Sequence, residues 1–174
     1  MQKSDFKASF CVSDNYVESA QNNSSNLIQD SNIASKNNNS NNNSQKENIK
    51  WYIEIPSINL KAEIYEGTTK EVMDKYVGHF EETQKTNGNI GLAAHNRGYA
   101  KNYFADLKKL KEGDKIIYRY NDFTKEYKVK KHYIIKDTDW EPLKGTKENT
   151  ITLITCVENQ KEYRRCVQGE EIKK

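Results

Sequence analysis

The sequence predicts a mostly β fold: a closed, largely antiparallel barrel of about eight short strands with two small helices, preceded by a segment that does not fold. Three observations lead there. Alternating runs rich in Ile, Val, Tyr and Thr recur through the second part of the chain, only two stretches carry helix signals, and the texture changes abruptly near Trp51. Closure is the expected arrangement because so many short strands would otherwise leave exposed edges.

The chain has 174 residues, and residues 1–50 contain no Gly, no Pro and only Phe6, Phe10 and Tyr16 as aromatics. Between Lys36 and Ser44 it reads KNNNSNNNS. So little apolar surface cannot offset the entropy of ordering the backbone, so residues 1–50 are expected to be a flexible Asn/Ser-rich tether. The remaining aromatics, all glycines and both prolines lie beyond it, and one domain is expected over residues 51–174.

The elements of that domain follow in order. Trp51 to Ile55 alternates, Pro56 and Asn59 punctuate a turn, and Leu60 to Tyr65 alternates again, as a half-buried strand does. Gly67 to Tyr76 opens a short helix with Thr68 or Thr69 as cap. Val77-Gly-His-Phe80 reads as turn-like. Gly88 to Ala94 is a compact run of small and apolar residues, suited to a strand covered on both faces. Asn102 caps a helix through Leu110, on the spacing of Phe104, Leu107 and Leu110, with Gly113 as its stop. Strands are then expected over Lys115 to Asn121, Phe123 to Lys136, Thr150 to Val157 and Tyr163 to Ile172.

Charge discriminates less. The formal excess of +3 falls beyond residue 50, where acidic and basic residues interleave as on a solvated surface, which argues against nucleic-acid binding. No run of about 18 apolar residues occurs, so the sequence as given shows neither a membrane-spanning helix nor a signal-peptide core.

One stretch asks for chemistry. In Thr150-Ile-Thr-Leu-Ile-Thr-Cys156 a cysteine closes an alternating strand at the rim, followed by Arg164, Arg165 and Cys166. A thiol becomes a strong nucleophile as thiolate, which nearby positive charge favours. With Val157 to Tyr163 as a hairpin loop, Arg164 starts the next strand beside Cys156. Alternation then puts Arg164, Cys166 and Gln168 on one face, with Arg165 and Val167 on the other. Only one arginine can face the thiol, and Arg165 stays open because the loop length is inferred. Acyl transfer also needs a group that gives a proton to the leaving amine and takes one from the incoming nucleophile, which suits histidine. His95 is the best placed of three, where the small-residue strand meets a loop; His79 sits in a turn and His132 among lysines.

These residues resemble the sortases, the cysteine transpeptidases of Gram-positive bacteria. The resemblance rests on TLITC at 152–156, the arginine eight residues on in RRCVQG at 164–169, and the upstream LAAHN at 92–96. It extends through IEIPSINLKAEIYEG at 53–67, GHF at 78–80 and NYFADLKKLKEGDKIIY at 102–118, with the subclass open and possibly class D-like. It implies an eight-stranded sortase-type barrel, with Cys156 as nucleophile, His95 as general acid and base, and Arg164 as the groove-facing arginine. It implies cleavage of an LPXTG-like sorting motif after Thr through a thioacyl intermediate, resolved by an amine from a cell-wall precursor or a pilin. The implied partners are surface proteins bearing a C-terminal sorting motif. The implied location is the extracytoplasmic face of the membrane, reached through a segment that this sequence does not include.

Substrate contacts are expected from Trp140, Pro142 and Leu143, in the segment before the cysteine strand, and from Ala94, Asn96 and Thr155 beside the catalytic pair. The apolar members of the first group could equally anchor a loop over the barrel end. No cofactor is called for, and two cysteines nine residues apart without a nearby His do not make a zinc site. Ala94 stands where the family commonly has Gly, and Cys166 is unusual on the arginine strand. Cys166 is expected opposite Ile154, which makes a bond to Cys156 diagonal and strained and favours a free thiol, with a regulatory disulfide as the alternative. Cys11 is read as incidental. Two other functions remain open: a non-enzymatic surface binding module on the same barrel, and a cysteine peptidase that only hydrolyses.

Overall fold

A computed structural model of the protein describes residues 50–173. The tether expected over residues 1–50 lies outside the described residues apart from Lys50, and so does Cys11. The described residues form the predicted closed barrel. Its strands are β1 (Trp51–Ile55), β2 (Leu60–Glu66), β3 (Val77–His79), β4 (Asn89–Ala93), β5 (Lys115–Tyr120), β6 (Phe123–Lys136), β7 (Thr150–Val157) and β8 (Gln160–Glu171). Around the barrel they run β1-β2-β3-β4-β7-β8-β6-β5, and β5 pairs with β1 to close it. The β2–β3 and β4–β7 pairs are parallel, and the other joins are antiparallel.

Alternation explains how each wall is built. Ile53, Ile55, Ile64, Ile116, Tyr118, Val129, Ile151, Leu153 and Val167 turn inward and fill the barrel, joined by Phe104 and Leu107 from a connecting segment. The alternate residues of β4 and β7, Ala93 and Ile154, belong to a second cluster on the outer face with Met73, Phe80, Ile135, Leu143 and Cys166. Both faces of β4 and β7 are therefore covered, as the small-residue run predicts, and no residue of β4 is exposed. Trp51 caps one end of the interior, donating from Nε1 to the Tyr118 hydroxyl at 2.8 Å.

Three expectations need correction. Residues 102–110 do not form an α-helix; turns lead into a single 3-10 turn at Leu107–Lys109. Bonds from Ala105 to Asn102, Leu107 to Phe104 and Leu110 to Leu107 all span three residues. Phe104, Leu107 and Leu110 are spaced by three, the period of a 3-10 helix, and all are buried. Asn102 caps nothing, because its side chain closes a loop on the backbone N–H and C=O of Tyr99. Second, Val77–His79 is a strand, and His79 is fully buried, with Nδ1 2.7 Å from Glu66 Oε1. Third, β8 starts at Gln160, earlier than expected, after a turn in which Asn159 takes a left-handed φ of 60°. The earlier helix, α1, is a single turn, Lys70–Met73, preceded by Thr69, whose side chain makes no capping hydrogen bond.

Gly78 marks the tightest approach of backbone to backbone. A Cβ there would lie 2.5 Å from the Gly67 carbonyl oxygen, beside the bond from the Gly67 N–H to the His79 carbonyl. Gly78→Ala is expected to destabilise the barrel by about 1–3 kcal/mol, because backbone and not a pliable side chain must give way. A denaturant-unfolding midpoint equal to that of the parent would contradict this.

Candidate active site

The site is assembled where the C-terminal ends of β4 and β7 emerge side by side. Ala93 pairs with Ile154 in this parallel ladder, so the next two residues carry His95 to the level of Cys156. Three hydrogen bonds lock the exit. The Ala94 N–H donates to the Ile154 carbonyl at 3.4 Å, the Thr155 hydroxyl to the Ala94 carbonyl at 2.7 Å, and the Asn96 amide to the Cys156 carbonyl at 2.8 Å. The Phe104 N–H donates to the His95 carbonyl at 3.0 Å, tying the histidine to the following loop.

Across the antiparallel β7–β8 pair, Cys156 lies opposite Arg164, Thr155 opposite Arg165 and Ile154 opposite Cys166. Opposed residues share a face, so Arg164 and Cys156 are on the same side of the sheet. Beyond this pair the register breaks, with Val157 opposite Gln160, so residues 161–163 are looped out relative to β7. The Arg164 guanidinium bonds into that loop, donating from Nη1 to the Lys161 carbonyl at 2.6 Å and the Tyr163 carbonyl at 2.8 Å. Its Nη2 lies 3.9 Å from Asp137 Oδ2. Burial pulls the guanidinium below its ordinary pKa and the Asp137 charge opposes this, but it stays protonated at any pH of interest.

Arg165 turns the other way and is spent on β6. His132 Nδ1 donates to the Leu110 carbonyl at 2.9 Å, so its Nε2 is the acceptor for Arg165 Nη1 at 2.7 Å. His132 is thus a half-buried strut and not a solvated side chain.

His95 is 4% exposed, its ring stacked on Tyr99 with centroids 3.5 Å apart and planes within 7°. Burial holds its pKa below the usual histidine value; the Asp74 carboxylate, 3.5 Å from Nε2, opposes that, and the Lys70 charge adds to it. Cys156 is half-buried and its sulfur is engaged in a disulfide, so the chemistry considered below belongs to its reduced form. Cys166 is the free thiol, fully buried opposite Ile154.

The residues expected to touch substrate divide into two groups. Ala94 and Thr155 are buried in the junction of the two strands, and the Thr155 hydroxyl is used to hold it together. Asn96 and Thr155 also line a pocket of about 190 Å³ beside Cys156, with Lys108, Glu158 and Arg165 among its other walls. Trp140, Pro142 and Leu143 sit on a 3-10 turn, Glu141–Leu143, and its approach, strapped over the outer face of β4 and β7. The Pro142 carbonyl accepts from Asn89 Nδ2 at 2.8 Å and from Thr152 and Gln168 at 3.2 Å. Leu143 packs over Gly91, and Trp140 meets Phe80 edge-on at 6.2 Å. Leu143 and Pro142 are buried, leaving Trp140 as the partly accessible member. Among the described residues, no three His, Cys, Asp or Glu side chains gather to hold a metal ion, and no helix is long and apolar enough to cross a membrane.

Sequence reasoning missed Asp74, Asp137 and Tyr99. Tyr99 could have been noticed four residues after His95, but nothing local marks either carboxylate.

Comparison with known proteins bears on the family and the barrel. The sortase domain family matches residues 53–172. The chain belongs to the sortase family. Sortase A of Bacillus anthracis is 32% identical over 122 residues, covering 68% of this chain and 58% of that protein. Sortase A of Staphylococcus aureus is 34% identical over 117 residues, covering 64% and 56%. Among solved structures, sortase C1 from Streptococcus suis superposes with a TM-score of 0.68 at 31% identity, covering 72% of this chain and 74% of that one. The pilus-related sortase C of Group B Streptococcus gives 0.68 at 28%, covering 73% and 69%. The chain thus spans a little over half the length of these curated sortase A relatives.

The two β-strand cysteines differ in environment, and that difference is measurable. Burial pushes the Cys166 thiol up to about 12, so it stays protonated and unreactive through the neutral range. In the reduced native protein at pH 8, iodoacetamide should leave Cys166 unmodified and label it only after denaturation; native labelling seen by peptide mass spectrometry would refute this.

Proposed function

We propose that the protein is a sortase-type cysteine transpeptidase acting on an LPXTG-like sorting motif, with residues 51–174 as its catalytic domain. The observation that supports this most is the meeting of three chain segments at one rim: Cys156 opposite Arg164 on β8, and His95 two residues beyond the end of β4, the strand parallel to β7.

In this reading the reduced Cys156 sulfur, as thiolate, attacks the Thr carbonyl carbon of the motif. Arg164, cross-strand from the sulfur and permanently charged, donates hydrogen bonds to the substrate backbone or to the oxygen that gains charge. The C–N bond breaks as His95 gives a proton to the departing amine, leaving a thioacyl enzyme. An incoming amine loses a proton to His95 and attacks the thioester, and the thiolate departs as a new amide forms. A thiolate–imidazolium pair explains why burying His95 need not silence it, since each charge stabilises the other.

The substrates fitting this chemistry are surface proteins with a C-terminal sorting motif. The acceptor is an amine of a cell-wall precursor or a pilin, which places the enzyme at the outer face of the membrane. The pilus-related function named for the Group B Streptococcus sortase C favours keeping a pilin lysine among the acceptors tested.

The test offers sorting-motif peptides with and without amine acceptors to the reduced full chain. Cys156→Ala should abolish cleavage, and His95→Ala should lower kcat/KM roughly 10²–10⁴-fold. Arg164→Ala should cost about 10²–10³-fold, whereas Arg165→Ala should cost far less, being bonded to His132. Cleavage at the parental rate by Cys156→Ala would end the proposal. Hydrolysis that never yields an amide with any acceptor would reassign the enzyme as a peptidase.

A further inference from the structure

We propose that Asp74 is a positioning residue for His95: its inner carboxylate oxygen accepts the Nε2–H of the imidazole, leaving Nδ1 as the nitrogen that exchanges protons in the groove. This rests on the reading of His95 as the acid and base, and deepens it.

The two oxygens of Asp74 have different surroundings. Oδ2 faces outward and takes the Lys70 ammonium at 2.6 Å, a pair whose lysine is 66% exposed. Oδ1 is buried and has no hydrogen-bond partner among the described residues, and the same is true of His95 Nε2. The two atoms face each other at 3.5 Å. A buried acceptor and a buried donor site left otherwise unsatisfied cost about 1–3 kcal/mol each, so their facing one another at this separation is a contact waiting to close. Catalytic hydrogen bonds are commonly long without substrate and tighten when it binds.

The scaffold fixes Asp74 where this requires. It follows α1 directly, and its N–H is bonded to the Lys70 and Val72 carbonyls. The preceding Met73 is buried in the outer cluster that also holds Ala93 of β4 and Ile154 of β7, which ties the turn to the packing of these strands. On the ring's flat side, Tyr99 stacks at 3.5 Å, and Lys70 lies 5.7 Å from the centre of the Tyr99 ring. Thus one residue fixes the plane of the imidazole and another fixes its rotation within that plane. A hydrogen bond from Nε2 also sets the tautomer, the role an orienting carboxylate plays beside catalytic histidines in general.

The charged and titratable groups facing His95 are Lys70 from α1, Asp74 directly after it, and Tyr99 from the loop after β4, while Cys156 on β7 lies at the same rim with Arg164 opposite it on β8. Asp74 and Lys70 act in opposite senses. The carboxylate favours the imidazolium, so removing its charge should lower the His95 pKa; the ammonium disfavours it, so removing that charge should raise it.

The experiment follows the His95 ring by NMR titration in the reduced full chain, comparing the parent with Asp74→Asn and Lys70→Met. Peptide cleavage is measured across pH in parallel. Asp74→Asn should move the titration to lower pH and Lys70→Met to higher pH. In Asp74→Asn, kcat should fall about 10²-fold with KM little changed, as a small misplacement of a reacting group can cost. Asp74→Glu should recover part of the loss. An unmoved His95 titration in Asp74→Asn, or shifts of the same sign in both variants, overturns the proposal whatever the activity does. Retained cleavage by His95→Ala overturns instead the acid–base reading, and is told apart because the opposed titration shifts would persist.

Discussion

The parallel ladder between β4 and β7 decides where everything else in the site can be. Parallel neighbours cannot be joined by a tight turn, so the chain leaves β4 at Ala93, builds β5 and β6 across the barrel, and returns 57 positions later at Thr150. That detour brings a histidine and a cysteine 61 positions apart to the same level at one rim. The ladder also explains the composition of both strands. With the barrel interior on one side and the strapped-down turn Glu141–Leu143 on the other, β4 must be lined by small residues, and Gly91 lies directly under Leu143.

Electrostatically the site has a repeated design. The imidazole of His95 and the guanidinium of Arg164 are both largely withdrawn from water, which works against their charged forms. Each has one carboxylate at the edge of the site, Asp74 at 3.5 Å and Asp137 at 3.9 Å, both partly solvated. A partly solvated carboxylate can support a buried cation without itself paying the full desolvation of a buried pair.

Much of this was legible in the sequence, and the failures have physical causes. Phe123–Lys136 and Thr150–Val157 emerged with the bounds expected of them, because long alternating runs constrain both ends. The pairing of residue 156 with 164 was also anticipated, although the connecting segment was assigned to loop when much of it is strand. Val77–His79 was missed because three residues are too few to show a period. Phe104, Leu107 and Leu110 were taken for an α-helix although a spacing of three belongs to the tighter 3-10 turn. Asp74 and Asp137 carried no local signal, since their significance comes only from what folding lays beside them. The contacts anticipated for Ala94 and Leu143 fall on side chains that the scaffold has already enclosed.

The looped-out residues 161–163 have a further consequence. Arg164 is anchored by carbonyls of that excursion and by its cross-strand register with Cys156, not by the tip of the hairpin at Glu158 and Asn159. Geometry at the guanidinium is thereby insulated from whatever sequence forms the tip. The hairpin end is a natural graft point, where extra residues could diversify what the rim meets while the machinery behind them keeps its spacing.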